Sequence, residues 1–267
     1  MPKLADPAVY PAIAPTDDDQ LLFRTGAGGD GRAALVQPKG YIDGLRMEWV
    51  SATQVRVSTG SAYVPGAKRI AELVAPVTLT PSLAANSWYH IYLTVAGAVV
   101  GVEAVATAPA APYFGTARAK TGDTSRRYVG SLRTDAGGVI AKFKHNPAAN
   151  YIAYIAIRES SLNGGTQAVT TPVSLSAPLP VTATFAALII SLDATGAALF
   201  TGNSEMTDTV LSASNFLGYT ESSTQVSVSR MDGHPVDANQ SITYRLSAAP
   251  SSGTGAYIRV MGYSYER

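Results

Sequence analysis

Turn-forming residues punctuate this chain so often that it has no room for long helices, and the runs between them alternate as strands do. From Gly40 onward, breaks such as Gly60, Pro65-Gly66, Pro76, Pro81 and Gly97 recur roughly every 8 to 12 residues, the spacing of sandwich and barrel strands. Residues 54–58 set Val55 and Val57 on one side and Gln54, Arg56 and Ser58 on the other. Residues 88–95 place Trp88, His90, Tyr92 and Thr94 on one face and Tyr89, Ile91, Leu93 and Val95 on the opposite face. A period of two over short runs predicts strands. Residues 183–190 could be read as helical, but their short length and β-branched neighbours favour a strand. The expected fold class is all-β, with two antiparallel β-sandwich domains of jelly-roll-like type and an extended N-terminal arm.

The stretch from Thr121 to Phe143 says most about the kind of β protein. It predicts a hairpin, with strands over 127–133 and 139–145 joined at Gly137-Gly138. Asp123, Arg126, Arg127 and Asp135 are expected at turns, where the arginines are solvated or paired with the two aspartates. Tyr128, Val129, Leu132, Val139, Ile140 and Phe143 supply the apolar surface. Other strands are expected over 45–50, 61–64, 70–73, 77–80, 99–105, 151–157, 181–185, 187–192, 197–200, 224–229, 241–246 and 256–265.

The same reading divides the chain. Pro2, Pro7, Pro11 and Pro15 deny residues 1–39 a long helix and predict an arm that attaches to a partner or lies on the body, with a free flexible tail as the equal alternative. Residues 40–158 form a first β domain. Residues 159–174, rich in Ser, Thr, Gly and Asn and carrying the turn signal Asn163-Gly164, read as a linker. Residues 175–267 form a second sandwich for receptor binding or another interaction.

Charge and cysteine content narrow the function. Charged residues are only 15% of the chain and the net charge is +1, without the basic stripe that phosphate binding requires, so no nucleic-acid partner is expected. With no cysteine, disulfides and thiolate metal sites are excluded. The N-terminus lacks the apolar stretch of a secretory signal, and no run is apolar enough to insert in a membrane, which predicts synthesis in a cytoplasm.

Motifs for chemistry fail on context. Gly26 to Gly31 spells G-x-G-x-x-G, but Pro38 and Gly40 forbid the long helix a dinucleotide site needs. The run Gly115 to Thr121 lacks the glycine before Lys120 that a phosphate loop requires. His90, His145 and His234 are too far apart for a zinc pattern; His90 reads as a half-buried strand residue and the others as turn or edge residues. Asp17, Asp18 and Asp19 read as a solvated run. A glycosidase carboxylate pair could be drawn from Glu48, Glu103, Asp123, Asp193, Glu205, Asp208 and Glu221, yet nothing singles out two of them. No catalytic residue, cofactor or metal is therefore expected. The 14 tyrosines suit interfaces. On the last strand Tyr257, Arg259, Met261, Tyr263 and Tyr265 are expected to share a face, read first as a packed sheet face or an oligomer contact and second as a ligand platform, which makes Tyr257, Arg259, Tyr263 and Tyr265 the receptor or interface candidates.

Four runs carry a family resemblance: Gly40 to Leu45, Val55 to Tyr63, Trp88 to Leu93, and Lys120 through Leu132 to Phe143. Together they resemble the β-rich domain of tail proteins of tailed bacteriophages, that is, tail fibres and tail-tip or receptor-binding components. The pattern R-x-x-G-S-hydrophobic-x-T-D, here Arg127 to Asp135, carries it most clearly. The resemblance spans about residues 40–145 and leaves the N-terminal arm and C-terminal half without a counterpart. It implies a virion protein of the phage tail, a homotrimer whose N-terminal arm grips other tail proteins and whose C-terminal domain faces the host; the lack of an acid–base constellation makes the expected protein non-enzymatic. A host surface glycan or pilus would be the partner at the far end. A purely structural baseplate, head-fibre or decoration protein is the alternative, with a glycan-cleaving tail enzyme behind it.

Overall fold

The computed structural model describes residues 15–24, 30–34, 36–155, 159–206, 210–222 and 226–267. Among these the chain is all-β, with several antiparallel sheets and a single 3-10 turn at Pro65–Ala67. The largest sheet has nine strands. In order across it run Ser227–Pro235, Ala183–Ala194, Gly253–Tyr265, Tyr151–Tyr154, Phe143–Asn146, Met47–Ser51, Gln54–Val57 and Val77–Leu79, while Glu159–Gly165 pairs with Gly253–Tyr265. A five-stranded sheet orders Val99–Val105, Trp88–Ala96, Asp123–Arg133, Ala117–Lys120 and Pro109–Phe114. A four-stranded sheet holds Thr171–Ser174, Ser241–Leu246, Ala197–Gly202 and Gly218–Ser222, and a three-stranded one Ile42–Gly44, Gly60–Val64 and Arg69–Leu73.

The alternation in Trp88–Ala96 does what the sequence predicts, but both of its faces are buried. His90 and Tyr92 meet Tyr128 of the neighbouring strand, and Tyr128 in turn meets Tyr265 of the nine-stranded sheet. Tyr89, Ile91, Leu93 and Val95 join the same apolar cluster as Ala62, Val64, Ala71 and Leu73 of the three-stranded sheet. That cluster also takes in Leu188, Ile190, Ile242, Leu246, Ile258 and Val260, so one core runs through both halves of the chain.

The boundary expected at 159–174 is crossed by this architecture. Two strands, Glu159–Gly165 and Thr171–Ser174, lie in the segment read as a linker. Tyr151–Tyr154 pairs with Gly253–Tyr265 through Ile152 opposite Tyr263 and Ala153 opposite Gly262. Glycine is needed there, because a Cβ at Gly262 would collide with the Ile152 carbonyl oxygen. The loop at 175–182 fastens the halves again. Trp88 Nε1 donates to the Ala177 carbonyl at 3.2 Å, and Tyr154 Oη to that of Pro178 at 2.9 Å. Polar composition alone misread these strands. Thr171–Ser174 tolerates Pro172 because it is an edge strand, where a missing N–H costs no ladder bond. The same reason explains Pro109 and Pro112 in the edge strand Pro109–Phe114.

The predicted hairpin opens soon after its turn. Asp135 sits at that turn as expected, with Oδ1 accepting from the Gly137 and Val139 N–H groups. Thr134 bridges Ile140, but Asp123–Arg133 then pairs with Trp88–Ala96 while Phe143–Asn146 joins the other sheet beside Met47–Ser51. Ile140, Ala141 and Phe143 are all buried along this crossing. Arg127 is corrected too. It lies within a strand at 0% exposure, and its guanidinium donates to the carbonyls of Arg118, Tyr128 and Gly40 under the Tyr113 ring. Arg126 does pair, with Glu103 and Asp123.

Toward the N-terminus, Gln20–Arg24 and Asp30–Ala34 pair as antiparallel strands. Residues 1–14, and Gly26 to Gly29 of the glycine-rich motif, lie outside the described residues. The acidic run is not simply solvated. Asp17 accepts from Tyr63 Oη at 2.5 Å and from the Gln37 N–H at 3.0 Å, and Asp18 pairs with Lys68.

Candidate interaction surface

The strand Gly253–Tyr265 carries all four candidate residues, but it does not keep them on one face. Opposite Ala183–Ala194 its register shifts between Val260 and Gly262, which leaves Met261 as an extra, bulged residue. Because a bulge adds one residue, it exchanges the faces on either side of itself. Tyr257 and Arg259 therefore remain on the outer face. Tyr263 and Tyr265 turn into the core at 0% and 3% exposure, where no receptor can reach them. Strict alternation placed the four together; Gly262, a glycine inside a strand, is the one local sign of the bulge beside it.

On the outer face, Tyr257 lies between Ser191 and Asn163, and Arg259 between Ile189 and Ser160. The Arg259 guanidinium sits 5.9 Å from the centre of the Tyr257 ring, a cation–π distance. Tyr257 Oη donates to Thr254 Oγ1 at 2.6 Å, and Thr254 Oγ1 donates to Asp193 at 2.5 Å. This half-buried pair is held by its own sheet and presents a ring, a hydroxyl and a cation together.

On the inner face, the buried tyrosines form a network with two histidines. His145 Nδ1 accepts from the Met47 N–H at 2.9 Å, which leaves the ring proton on Nε2. Nε2–H then donates to Tyr265 Oη at 3.0 Å, and Tyr265 O–H donates to the Val129 carbonyl at 3.0 Å. A second chain joins His90 Nδ1, Ser131 Oγ, Tyr128 Oη and Thr182 Oγ1 at 2.8, 2.7 and 2.9 Å. Burial pushes the His90 pKa down to about 4. Burial, with Arg267 and Arg46 adding to it, pushes that of His145 down to about 3. All three histidines are buried: His90 is fully rather than half buried in its strand, His145 lies in an inner strand rather than at a turn or edge, and His234 is on the edge strand Ser227–Pro235 but with its ring covered.

The candidate carboxylates among the described residues all have hydrogen-bond or ion-pair partners. Glu48 lies between Arg46 and Arg56, Glu103 pairs with Lys120 and Arg126, and Glu221 accepts from Tyr219. Glu205 accepts from the Ala238 N–H at 3.1 Å, Asp193 holds Thr254, and Asp123 accepts from Ser125. Asp208 lies outside the described residues. The arginine hydrogen bonds hold Glu48 below the usual carboxylate range, and the Ser125 hydroxyl does the same for Asp123. A general acid needs the opposite shift. No group of three His, Cys, Asp or Glu residues that could hold a metal occurs among the described residues.

A second exposed patch was not legible beforehand. Phe216 and Tyr219 stack at 5.4 Å between ring centres, both packing on Phe200, with Leu217 exposed beside them. Its members lie on a strand and a loop that the sequence pattern did not mark. No protein-family model matches the chain, and neither a curated protein nor a solved structure shows significant similarity to it.

Proposed function

We propose that this chain is a non-enzymatic virion protein of a tailed bacteriophage, a tail-fibre or tail-tip component that recognises the host surface. The observation that carries this reading is the two-sided strand Gly253–Tyr265. Its buried side anchors it through Tyr263 and Tyr265, while its outer side presents Tyr257 and Arg259 on a firm support. Recognition surfaces of this kind combine an aromatic ring with a cation on a rigid element. The resemblance of residues 40–145 to phage-tail β domains supplies the biological setting. In this reading the protein is a homotrimer, its N-terminal residues grip other tail proteins, and a host glycan or pilus is the target.

A purely structural role in a baseplate, head fibre or decoration layer is the second reading. It is favoured by the commitment of Tyr263 and Tyr265 to the core, which halves the candidate surface. Light scattering and western blotting of purified virions test the proposal together. We expect a trimer of the 27.7 kDa chain in solution and the chain in the particle. A stable monomer absent from virions would overturn the assignment.

A further inference from the structure

Ser227–Pro235, at the end of the nine-stranded sheet, is the longest edge strand among the described residues. Its inner side is packed: Met231 lies against Gly218 and Thr201 of the four-stranded sheet, and Ser227 Oγ meets Thr220 Oγ1. One edge pairs with Ala183–Ala194, and no described strand pairs with the other. In an antiparallel ladder every second residue turns both its N–H and its C=O to the same side. The open edge therefore carries a row of backbone groups ready to accept another strand. Other edges of the fold are poorer acceptors. Val77–Leu79 is three residues long, and Thr171–Ser174 and Pro109–Phe114 contain proline.

Arg230 and Asp232 decide which strand fits this edge. They share the outer face with Val228, and their side chains are 62% and 65% exposed. Arg230 Nε lies 2.9 Å from Asp232 Oδ1, so the pair is held along the strand in full view of solvent. Charges on an edge discourage foreign strands. An arginine and an aspartate two positions apart are nevertheless complementary to themselves when the strand is turned around. The regular stretch is bounded by Gly233, an extra residue between the pairs Asp232–Ala187 and His234–Ala186. Such a bulge disrupts the ladder and keeps any contact short.

We propose that Ser227–Pro235 pairs antiparallel with the same strand of a second copy of this chain, about a two-fold axis through Met231. That register sets Arg230 of each copy opposite Asp232 of the other, so the opposite-charge pair forms twice. Moving the axis by one residue would set Arg230 opposite Arg230, or Asp232 opposite Asp232, and like charges directly opposite are destabilising. The charge order thus selects both the partner and the register. A contact this short buries less than the roughly 1,200 Å² of a standard interface, so the association is weak and depends on concentration. It joins the two sheets edge to edge with their outer faces on one side, and so presents two Tyr257–Arg259 pairs in the same direction. Being two-fold, it is additional to a three-fold contact and does not rest on the host-recognition reading.

The test is sedimentation velocity of the full chain from about 1 μM to about 300 μM, a range that covers weak association. We expect the native chain to approach twice the mass of the Arg230→Asp variant as concentration rises. Arg230→Asp and Asp232→Arg, each altered at one exposed position, place like charges opposite one another and should each weaken association about tenfold or more. An equimolar mixture of the two variants restores both opposite-charge pairs and should associate as the native chain does. The swapped double variant Arg230→Asp/Asp232→Arg should do so alone. Recovery in the mixture also shows that each variant is folded. The proposal is overturned if the native chain never exceeds the mass of Arg230→Asp, if either single variant associates normally, or if neither the mixture nor the swapped variant recovers. Because the readout is a ratio of native to variant mass, it holds whether or not the chain also forms the trimer, and the two readings fail separately.

Discussion

Replacing Tyr265 by alanine is expected to cost about 4 kcal/mol of folding stability, a large share of the roughly 5 to 15 kcal/mol that holds a typical domain together. The side chain is buried against Tyr128, Tyr263 and His145. Removing it opens a cavity between the two largest sheets, and large aromatic deletions in cores cost about 3 to 5 kcal/mol. It also strands the Val129 carbonyl and the His145 Nε2–H, both of which Tyr265 Oη satisfies. Tyr265→Phe separates the two effects, keeping the packing and losing the hydroxyl, at about 1 to 3 kcal/mol. Urea unfolding of the three proteins measures both differences. A loss below about 1 kcal/mol for the alanine variant would mean that Tyr265 is not in the core.

Acid should weaken the fold well before its carboxylates titrate. His90 and His145 have folded pKa values near 4 and 3, against an ordinary value of 6.5. Between those limits the unfolded chain binds more protons, so the stabilising effect is complete above pH 6.5 and is lost as pH falls toward the folded values. At pH 5 the loss is roughly 2 kcal/mol for each histidine. His234, also pushed down by burial, acts in the same direction. The network gives a local reason for the resistance of His145: a proton on Nδ1 would face the Met47 N–H and break that bond. Urea midpoints at pH 7 and pH 5 should therefore differ strongly, with about two or three protons taken up per molecule unfolding at pH 5. Equal midpoints would show that these histidines are solvated.

The alternation of Trp88–Ala96 and the boundaries of Val99–Val105 and Ser241–Leu246 were legible because apolar residues recur there at period two. Thr171–Ser174 and Gly218–Ser222 were not, since an edge strand of polar residues reads like a loop. The predicted hairpin failed for a different reason. Its turn is local, and Asp135 encodes it, but which sheet receives Phe143 depends on Met47–Ser51, almost a hundred residues away. The candidate face failed through one residue, since the bulge at Met261 reverses the sides of a strand in which Gly262 is the one local sign of it. Arg127 shows the same limit, because its burial depends on carbonyls of Gly40 and Arg118 that no local pattern brings together.

The most direct measurement is the adsorption rate of phage particles, taken from a lysate of the culture that carries this gene, with the purified chain added as competitor. The account predicts that adsorption slows and saturates with the native chain, and that Tyr257→Ala/Arg259→Ala, changed only on the outer face, competes far more weakly. Adsorption that stays unchanged at every concentration of the native chain would contradict it.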